Sequence, residues 1–440
     1  MNILIKNALV LPMTAAAGEE KKYYRGSVGI AGNRIAFAGD DPQRERAFEA
    51  EHEGTLKIVD GSGMLVMPGL INLHNHVSMS LMRGYADDMA LMPWLTEKIW
   101  PFEALLTGDD IYMGAQLGIA EMLLGGTTTF VDMYWHADRV SDAVLDSGIR
   151  AVVCPTFFDS VYDAFAAEAP RIIETYDGAG NGRLGIRIAP HAPYSCSPEH
   201  IRGALAICSR YGIGLHTHLS ETQDENRIIR ERYGKTPTQY YRDLGMFDHP
   251  TLAVHCVHMT DDDLDILQRH GVSVGHNPQS NMKLASGIAP VAEMLRRGMN
   301  VGIGTDGPCS NNDLDMWDEL RTASLLQKVA TGDPCALPAY ETMQMATVNG
   351  ARALGREGEL GIVAEGALAD VILVRLDAPH MNPCHDLIAN LAYSAKSTDV
   401  DTVIVDGEIR VEGGRVEGTD TAGLGRRATK CVEEIIKRKK

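Results

Sequence analysis

The segment Met67-Pro-Gly-Leu-Ile-Asn-Leu-His-Asn-His76 sets two histidines one residue apart at the end of an apolar run. Alternate side chains of a strand share a face, so His74 and His76 point the same way and make half of a metal site. Two later segments offer the other half. In Leu215-His-Thr-His-Leu-Ser-Glu221, His218 is the third ligand, and Glu221 falls close enough to stand beside an ion without ligating it. In Val301-Gly-Ile-Gly-Thr-Asp306 an apolar strand ends in a carboxylate, which when buried needs a cation or a hydrogen-bonding network, and Asp306 is the fourth ligand. His255 closes another apolar run and joins the site, whereas His258, one step into the loop, is expected to be structural. His216 shares a face with His218; a core histidine is the favoured reading, ahead of a group standing behind the ligands.

Three imidazoles and a carboxylate suit one borderline divalent ion, with Zn2+ the first choice and Fe2+ or Mn2+ compatible. A second ion needs a further bridging group, such as a modified lysine ending the fourth strand. There the chain reads Ile186-Arg-Ile-Ala-Pro-His191, with no lysine. A single ion with an open position for water is therefore expected, and such an ion makes its water acidic enough to react near neutral pH.

These residues need strands to present them. Strand candidates are Leu70 to His74, Thr128 to Met133, Arg150 to Cys154, Gly185 to Ala189, Gly214 to His218, Thr251 to His255, Ser273 to His276 and Gly302 to Asp306. Long amphipathic helices separate them, the pattern of a (β/α)8 TIM-type barrel with its active site at the C-terminal strand ends. The flanks have a different texture of short strands and turns, around Gly32-Asn33 and Asp406-Gly407 for example. They are expected to pair into one small β-sandwich domain built from both chain ends. The division reads 1–66 and 366–420 for that domain, 67–365 for the barrel and 421–440 for a basic amphipathic helix packed on the body.

The chain has 440 residues and a formal net charge of −18, from 41 basic and 59 acidic residues, which disfavours a nucleic acid or an anionic membrane as partner. A small-molecule ligand is the expectation, and a homo-oligomer is left open. The 8 cysteines are scattered with no C-x-x-C, as in a reducing cytoplasmic compartment. The apolar run from Ala8 to Met13, followed by Ala15-Ala-Ala17, is too short for a leader and holds Pro12, so Ile3 to Leu11 reads as a first strand. No apolar run is long enough to cross a bilayer.

Together, His74-Asn-His76, His218-Leu-Ser-Glu221, His255-Cys-Val-His258, His276-Asn-Pro-Gln-Ser-Asn281 and Gly304-Thr-Asp-Gly307 resemble the amidohydrolase superfamily over nearly the whole chain. Met92-Pro-Trp-Leu95, Trp100-Pro-Phe-Glu103 and Pro190-His-Ala-Pro-Tyr-Ser-Cys-Ser197 are similar to its 5'-methylthioadenosine/S-adenosylhomocysteine deaminase branch. The resemblance implies hydrolytic deamination of an adenine nucleoside to its inosine analogue. Glu221 then shuttles a proton to the ring nitrogen, Asp306 passes the water's proton to the leaving amine, and His255 orients and stabilises the attacking oxygen. It further implies that Glu103 receives the ribose hydroxyls, that His191 contacts substrate and that Trp94 walls the pocket. Without it, Trp94 reads as core and Glu103 as a solvated helix residue. Relatives acting on S-adenosylhomocysteine can carry an Arg-Gly after the third strand, where this chain has Cys154-Pro-Thr-Phe-Phe-Asp159. That departure favours 5'-methylthioadenosine, 5'-deoxyadenosine or adenosine. The rival readings are a deaminase of a free base such as guanine, a triazine-type chlorohydrolase or aminohydrolase, and a non-catalytic scaffold, which the retained ligands and Glu221 argue against.

Overall fold

The computed structural model describes residues 2–15 and 23–438. Residues 16 and 17 of the alanine run, and residues 439 and 440 of the expected C-terminal helix, lie outside them.

Where the chain turns from flank to centre, Met64–Pro68 runs antiparallel to Val371–Arg375, Met67 opposite Ile372. This pairing joins the two ends of the chain into one nine-stranded sheet, with Arg415–Val416 at one edge and Arg34–Gly39 at the other. The sheet curls on itself, because Ile35 donates its N–H to the Ala367 carbonyl (2.9 Å) and Gly366 donates back to the Ile35 carbonyl (2.8 Å). Ile3, Ile5, Val28, Ile30, Val371 and Leu373 fill the inside of the curl. The expected sandwich of two sheets is thus replaced by one continuous sheet, since β pairing between Met64–Pro68 and Val371–Arg375 leaves no break at which to divide it.

The centre is a mixed α/β fold with parallel sheets. One holds Leu70–Asn75, Thr127–Tyr134, Arg150–Phe157, Leu184–Ile186 and Ala189–Pro190, and the other Leu215–Leu219, Thr251–His255, Ser273–His276 and Val301–Ile303. Nearly every residue of these strands is buried, as expected where helices cover a parallel sheet. The fourth expected strand is broken at Arg187–Ile188, and the eighth ends at Ile303, three residues before Asp306. Main-chain bonds nevertheless cross from sheet to sheet on both sides. Ile188 donates to Gly214 O (3.1 Å) and His216 to Ile188 O (2.9 Å), while Asp306 donates to His74 O (3.0 Å).

The connecting helices start on local chemistry. Thr260 caps Asp261–Arg269 by accepting from the Asp263 N–H, and Asp263 accepts from the Thr260 N–H, a reciprocal box typically worth about 1 kcal/mol. Leu264, Ile266 and Leu267 then face the core. The C-terminal helix Thr421–Arg438 docks on Gly108–Leu124, where Arg438 and Cys431 both bond the carboxylate of Asp110. No helix among the described residues is long and apolar enough to cross a membrane.

Candidate metal and active site

The imidazoles of His74, His76, His218 and His255 meet above the ends of the first, fifth and sixth parallel strands, with Asp306 arriving from beyond the eighth. His74 Nε2 and His76 Nε2 each lie 3.2 Å from Asp306 Oδ1, and His218 Nε2 lies 3.3 Å from His74 Nε2. His74, His76 and His218 form one group of atoms close enough to share an ion, and His74, His255 and Asp306 form another. His74 belongs to both groups and links His76 and His218 to Asp306.

The opposite face of each ring is held. His76 Nδ1 meets Met133 O at 2.6 Å and His218 Nδ1 meets His191 O at 2.8 Å, and since a carbonyl only accepts, both protons reside on Nδ1. Nε2 is consequently the nitrogen of each ring that faces the cluster. His74 Nδ1 meets His216 Nε2 at 2.9 Å, so His216, read from sequence as a core histidine, stands directly behind His74 and shares a proton with it. Strand alternation had put His216 on the right face, but not against His74, a residue 142 positions away. His255 Nδ1 lies 2.9 Å from Asn281 Oδ1, which turns its Nε2 toward Glu221 Oε2 at 3.8 Å. His258 binds Ser286 O instead (2.7 Å), away from the cluster.

Asp306 is fixed on both oxygens. Ser280 and Ser310 donate to Oδ2 at 2.6 and 2.9 Å, and the Gly307 N–H donates to Oδ1 at 2.8 Å. Burial opposes the charge, yet the bonds to His74 and His76 hold this carboxyl well below the usual range. Asp306 and His255 also carry left-handed backbone, with φ of 61° and 71°, strain of the kind found at functional sites. Convergent imidazole lone pairs around an ionised carboxylate are the donor set that a divalent cation of the zinc type fits.

Glu221 stands beside this set. Burial raises its pKa, opposed by the nearby His255, and Ser286 Oγ lies 3.4 Å from its Oε1. The turn that presents it is clamped from below, where the buried Glu225 accepts the Ser220 and Glu221 N–H groups at 2.7 and 3.1 Å. A cavity of about 60 Å³ lies over the cluster, and Trp94, Glu103, His191, Glu221 and His255 line it with His76, His218 and Asp306. Trp94 bonds Ala86 O through Nε1 (2.9 Å) at the start of Trp94–Ile99. His191 is neutral, driven by burial to about 3, and Ser195 Oγ holds its Nδ1 at 2.9 Å. Glu103 is buried rather than solvated, and burial pushes its pKa to about 7 against the opposing bond from Tyr134 OH (2.6 Å). Sequence reasoning misses Tyr134, Asn281 and Ser310: Tyr134 ends its strand, which is a signal, whereas Asn281 lies in the helix Pro278–Lys283 and Ser310 seven residues past Ile303.

The family model of the amidohydrolase family matches residues 65–410. This chain belongs to the amidohydrolase family. It is accordingly a hydrolase acting on C–N bonds, and the matched span contains every residue of the cluster. This amidohydrolase is 48% identical over 438 residues, 99% of each chain, to a 5-methylthioadenosine/S-adenosylhomocysteine deaminase of Desulforudis audaxviator (strain MP104C). It is 45% identical, again over 99% of each chain, to the protein of the same name from Pelotomaculum thermopropionicum. Among solved structures it is similar to an adenosine deaminase of Xanthomonas campestris with bound zinc, at a TM-score of 0.93 and 33% identity over 99% of this chain and 98% of that one. A triazine hydrolase variant matches at a TM-score of 0.89 and 25% identity, over 98% and 99%.

Proposed function

We propose that this amidohydrolase is a metal-dependent hydrolytic deaminase that converts adenine nucleosides to their inosine analogues and ammonia. The observation that carries the reading is the convergence of Glu221, His255 and Asp306 on one cavity whose far wall holds the buried carboxyl of Glu103. A ring carbon under attack needs an acid, a base and an orienting group around one oxygen, and a ribose needs a diol acceptor.

His74, His76, His218 and Asp306 are the residues that hold the ion, with zinc the first choice given the adenosine deaminase that binds it. When bound, the ion supplies Lewis acidity that lets a water react at neutral pH. The buried Glu221 carboxyl gives its proton to the ring nitrogen next to the amino-bearing carbon, so that the carbon accepts the water's oxygen. His255 Nε2 orients that oxygen. Asp306 takes a proton from the water and passes it to the departing amine, which leaves as ammonia, while the remaining hydroxyl proton returns to the Glu221 carboxylate and the new C–O bond becomes a carbonyl. His191 and Trp94 bound the base, and Glu103 accepts the ribose hydroxyls.

We read residues 67–365 as a (β/α)8 barrel carrying this site, with 1–66 and 366–420 as a small β-domain and 421–440 as its helical cover. The cross-sheet bonds at Ile188 and Asp306 support closure. Free thiols throughout support a reducing, cytoplasmic setting.

Ammonia release by the metal-loaded protein, tested on adenosine, 5'-methylthioadenosine, guanine and a chlorotriazine, decides the reading. Adenosine turnover that Glu221→Gln abolishes is expected. Turnover of guanine or the triazine with silence on nucleosides moves the chain to the rival reading.

A further inference from the structure

The cavity over the cluster does not end at Glu103. Trp100, Glu103, Tyr134, Trp135, Thr156 and Phe158 are shared with a second chamber of about 590 Å³, nearly ten times the volume of the first. An aromatic collar separates the two. Trp135 meets Phe158 edge-on at 5.6 Å and stacks with Tyr134 at 4.8 Å, and Trp100 extends the row 6.3 Å from Phe158. Beyond the collar the walls are Pro155, Val161, Ala164, Phe165, Ala169 and Ile172.

Two carboxylates and one imidazole, that of the exposed His136, line this chamber. Glu103 lies at its inner end and Glu168 at its outer mouth, and neither lysine nor arginine lines it. If the base lies over the metal ligands and the ribose hydroxyls reach Glu103, the 5' carbon of the sugar points away from the ligands, through the collar.

We infer that the second chamber receives the 5' substituent of the nucleoside and selects uncharged, apolar substituents over ones ending in a carboxylate. This rests on the adenine-nucleoside reading above and deepens it. Trp135, Phe158 and Phe165 give the substituent an apolar surface, whereas the amino-acid tail of S-adenosylhomocysteine brings an ammonium, for which Glu168 is the acceptor, and a carboxylate that leaves water with neither lysine nor arginine to meet. The volume exceeds what a methylthio group fills, so longer apolar 5' groups are accommodated as well.

The test is kcat/KM of the metal-loaded enzyme for adenosine, 5'-methylthioadenosine, 5'-butylthio-5'-deoxyadenosine, S-adenosylhomocysteine and its methyl ester. The two alkylthio nucleosides are expected to exceed S-adenosylhomocysteine by about tenfold or more, the scale on which an unpaired buried charge discriminates. The methyl ester, which keeps the ammonium and nearly the same length and lacks the carboxylate charge, is expected to recover most of that loss. Ala164→Arg, which sets a guanidinium on the chamber wall, is expected to raise the ratio of S-adenosylhomocysteine to methylthioadenosine within the variant. S-adenosylhomocysteine at or above methylthioadenosine in the unaltered enzyme overturns the inference while leaving adenosine deamination intact. An ester as poor as the acid also overturns it, because the carboxylate is then not the barrier. Silence on adenosine itself refutes the underlying reading, a different and distinguishable result.

Discussion

The Nε2 atoms of His74 and His218 lie 3.3 Å apart, and the Asp306 carboxylate sits 3.2 Å from that of His74. Because His218 commits its proton to the carbonyl of His191, its inward nitrogen is a lone pair. A bound cation stabilises that arrangement. The protein is expected to retain one divalent ion per chain, to lose it on exhaustive chelation, and to unfold at a lower temperature afterwards. At a hundredfold excess over Kd, ligation contributes about 2.7 kcal/mol. Metal analysis with thermal scans before and after chelation checks this; an unchanged midpoint contradicts it.

His216 is wholly buried, with one nitrogen on His74 and the other, Nδ1, without a partner. It makes no contact with the candidate ligand atoms of the cluster, so its effect passes through the tautomer and orientation of His74. His216→Asn is expected to weaken metal affinity by about 10–100-fold while leaving the far-ultraviolet spectrum unchanged. Competition with a chromophoric chelator measures the affinity. Equal affinity in the variant leaves His216 as packing alone.

Gly304 shows how the eighth strand brings Asp306 into range. A Cβ there meets His74 N at 2.7 Å, Asn277 Oδ1 at 2.6 Å and His74 Cβ at 2.9 Å, so the first and eighth strands are as close as backbone permits. Gly304→Ala pushes the strands apart next to the ligands. A loss of about 1–3 kcal/mol is expected, from denaturant midpoints, together with a fall in bound metal.

Asp110 gives a pH signature away from the site. Burial raises its carboxyl, but bonds from Arg438, Thr107 and Cys431 outweigh this and hold it at about 2, against 3.8 for an ordinary aspartate. A depressed folded-state pKa contributes stability that is complete above the unfolded value and disappears as pH falls through the folded one. The stability gap between the unaltered protein and Asp110→Asn is therefore expected to be constant above about pH 5 and to close between about 4 and 2. Urea midpoints of the pair across that range test the sign. A gap that widens toward acid contradicts it.

The candidate metal ligands are legible in sequence because each follows a short apolar run, and a buried strand can end in His or Asp only with a partner. Strand periodicity carried His74, His76 and His218 to one face. What it could not carry was which strand end meets which. The His74–His216 contact, the bond from Tyr134 to Glu103 and the Trp100–Trp135–Phe158 collar all join residues far apart in the chain, set by sheet closure and not by local pattern. The same limit explains the flanks, where both ends were recognised as β but their merger into one curled sheet depends on the register of Met64–Pro68 against Val371–Arg375.

Arg150 ties those flanks to the centre. It opens the third parallel strand, is almost completely buried, and meets Asp370 through Nε and Nη2 at 2.8 and 3.0 Å and Asp406 at 3.1 Å. Asp370 lies just before Val371–Arg375, and Asp406 lies in the turn after Val400–Val405, so one guanidinium joins two segments of the curled sheet. Removing it strands the Asp370 carboxylate, 3% exposed, without a cation. Arg150→Met is expected to destabilise by about 3–5 kcal/mol, the usual cost of breaking one side of a buried pair. Adding Asp370→Asn and Asp406→Asn to it removes the stranded charges and is expected to restore part of the loss. Urea unfolding of the single and triple variants separates these effects. If the triple variant is no more stable than the single, the cost lies in lost packing and not in unpaired charge.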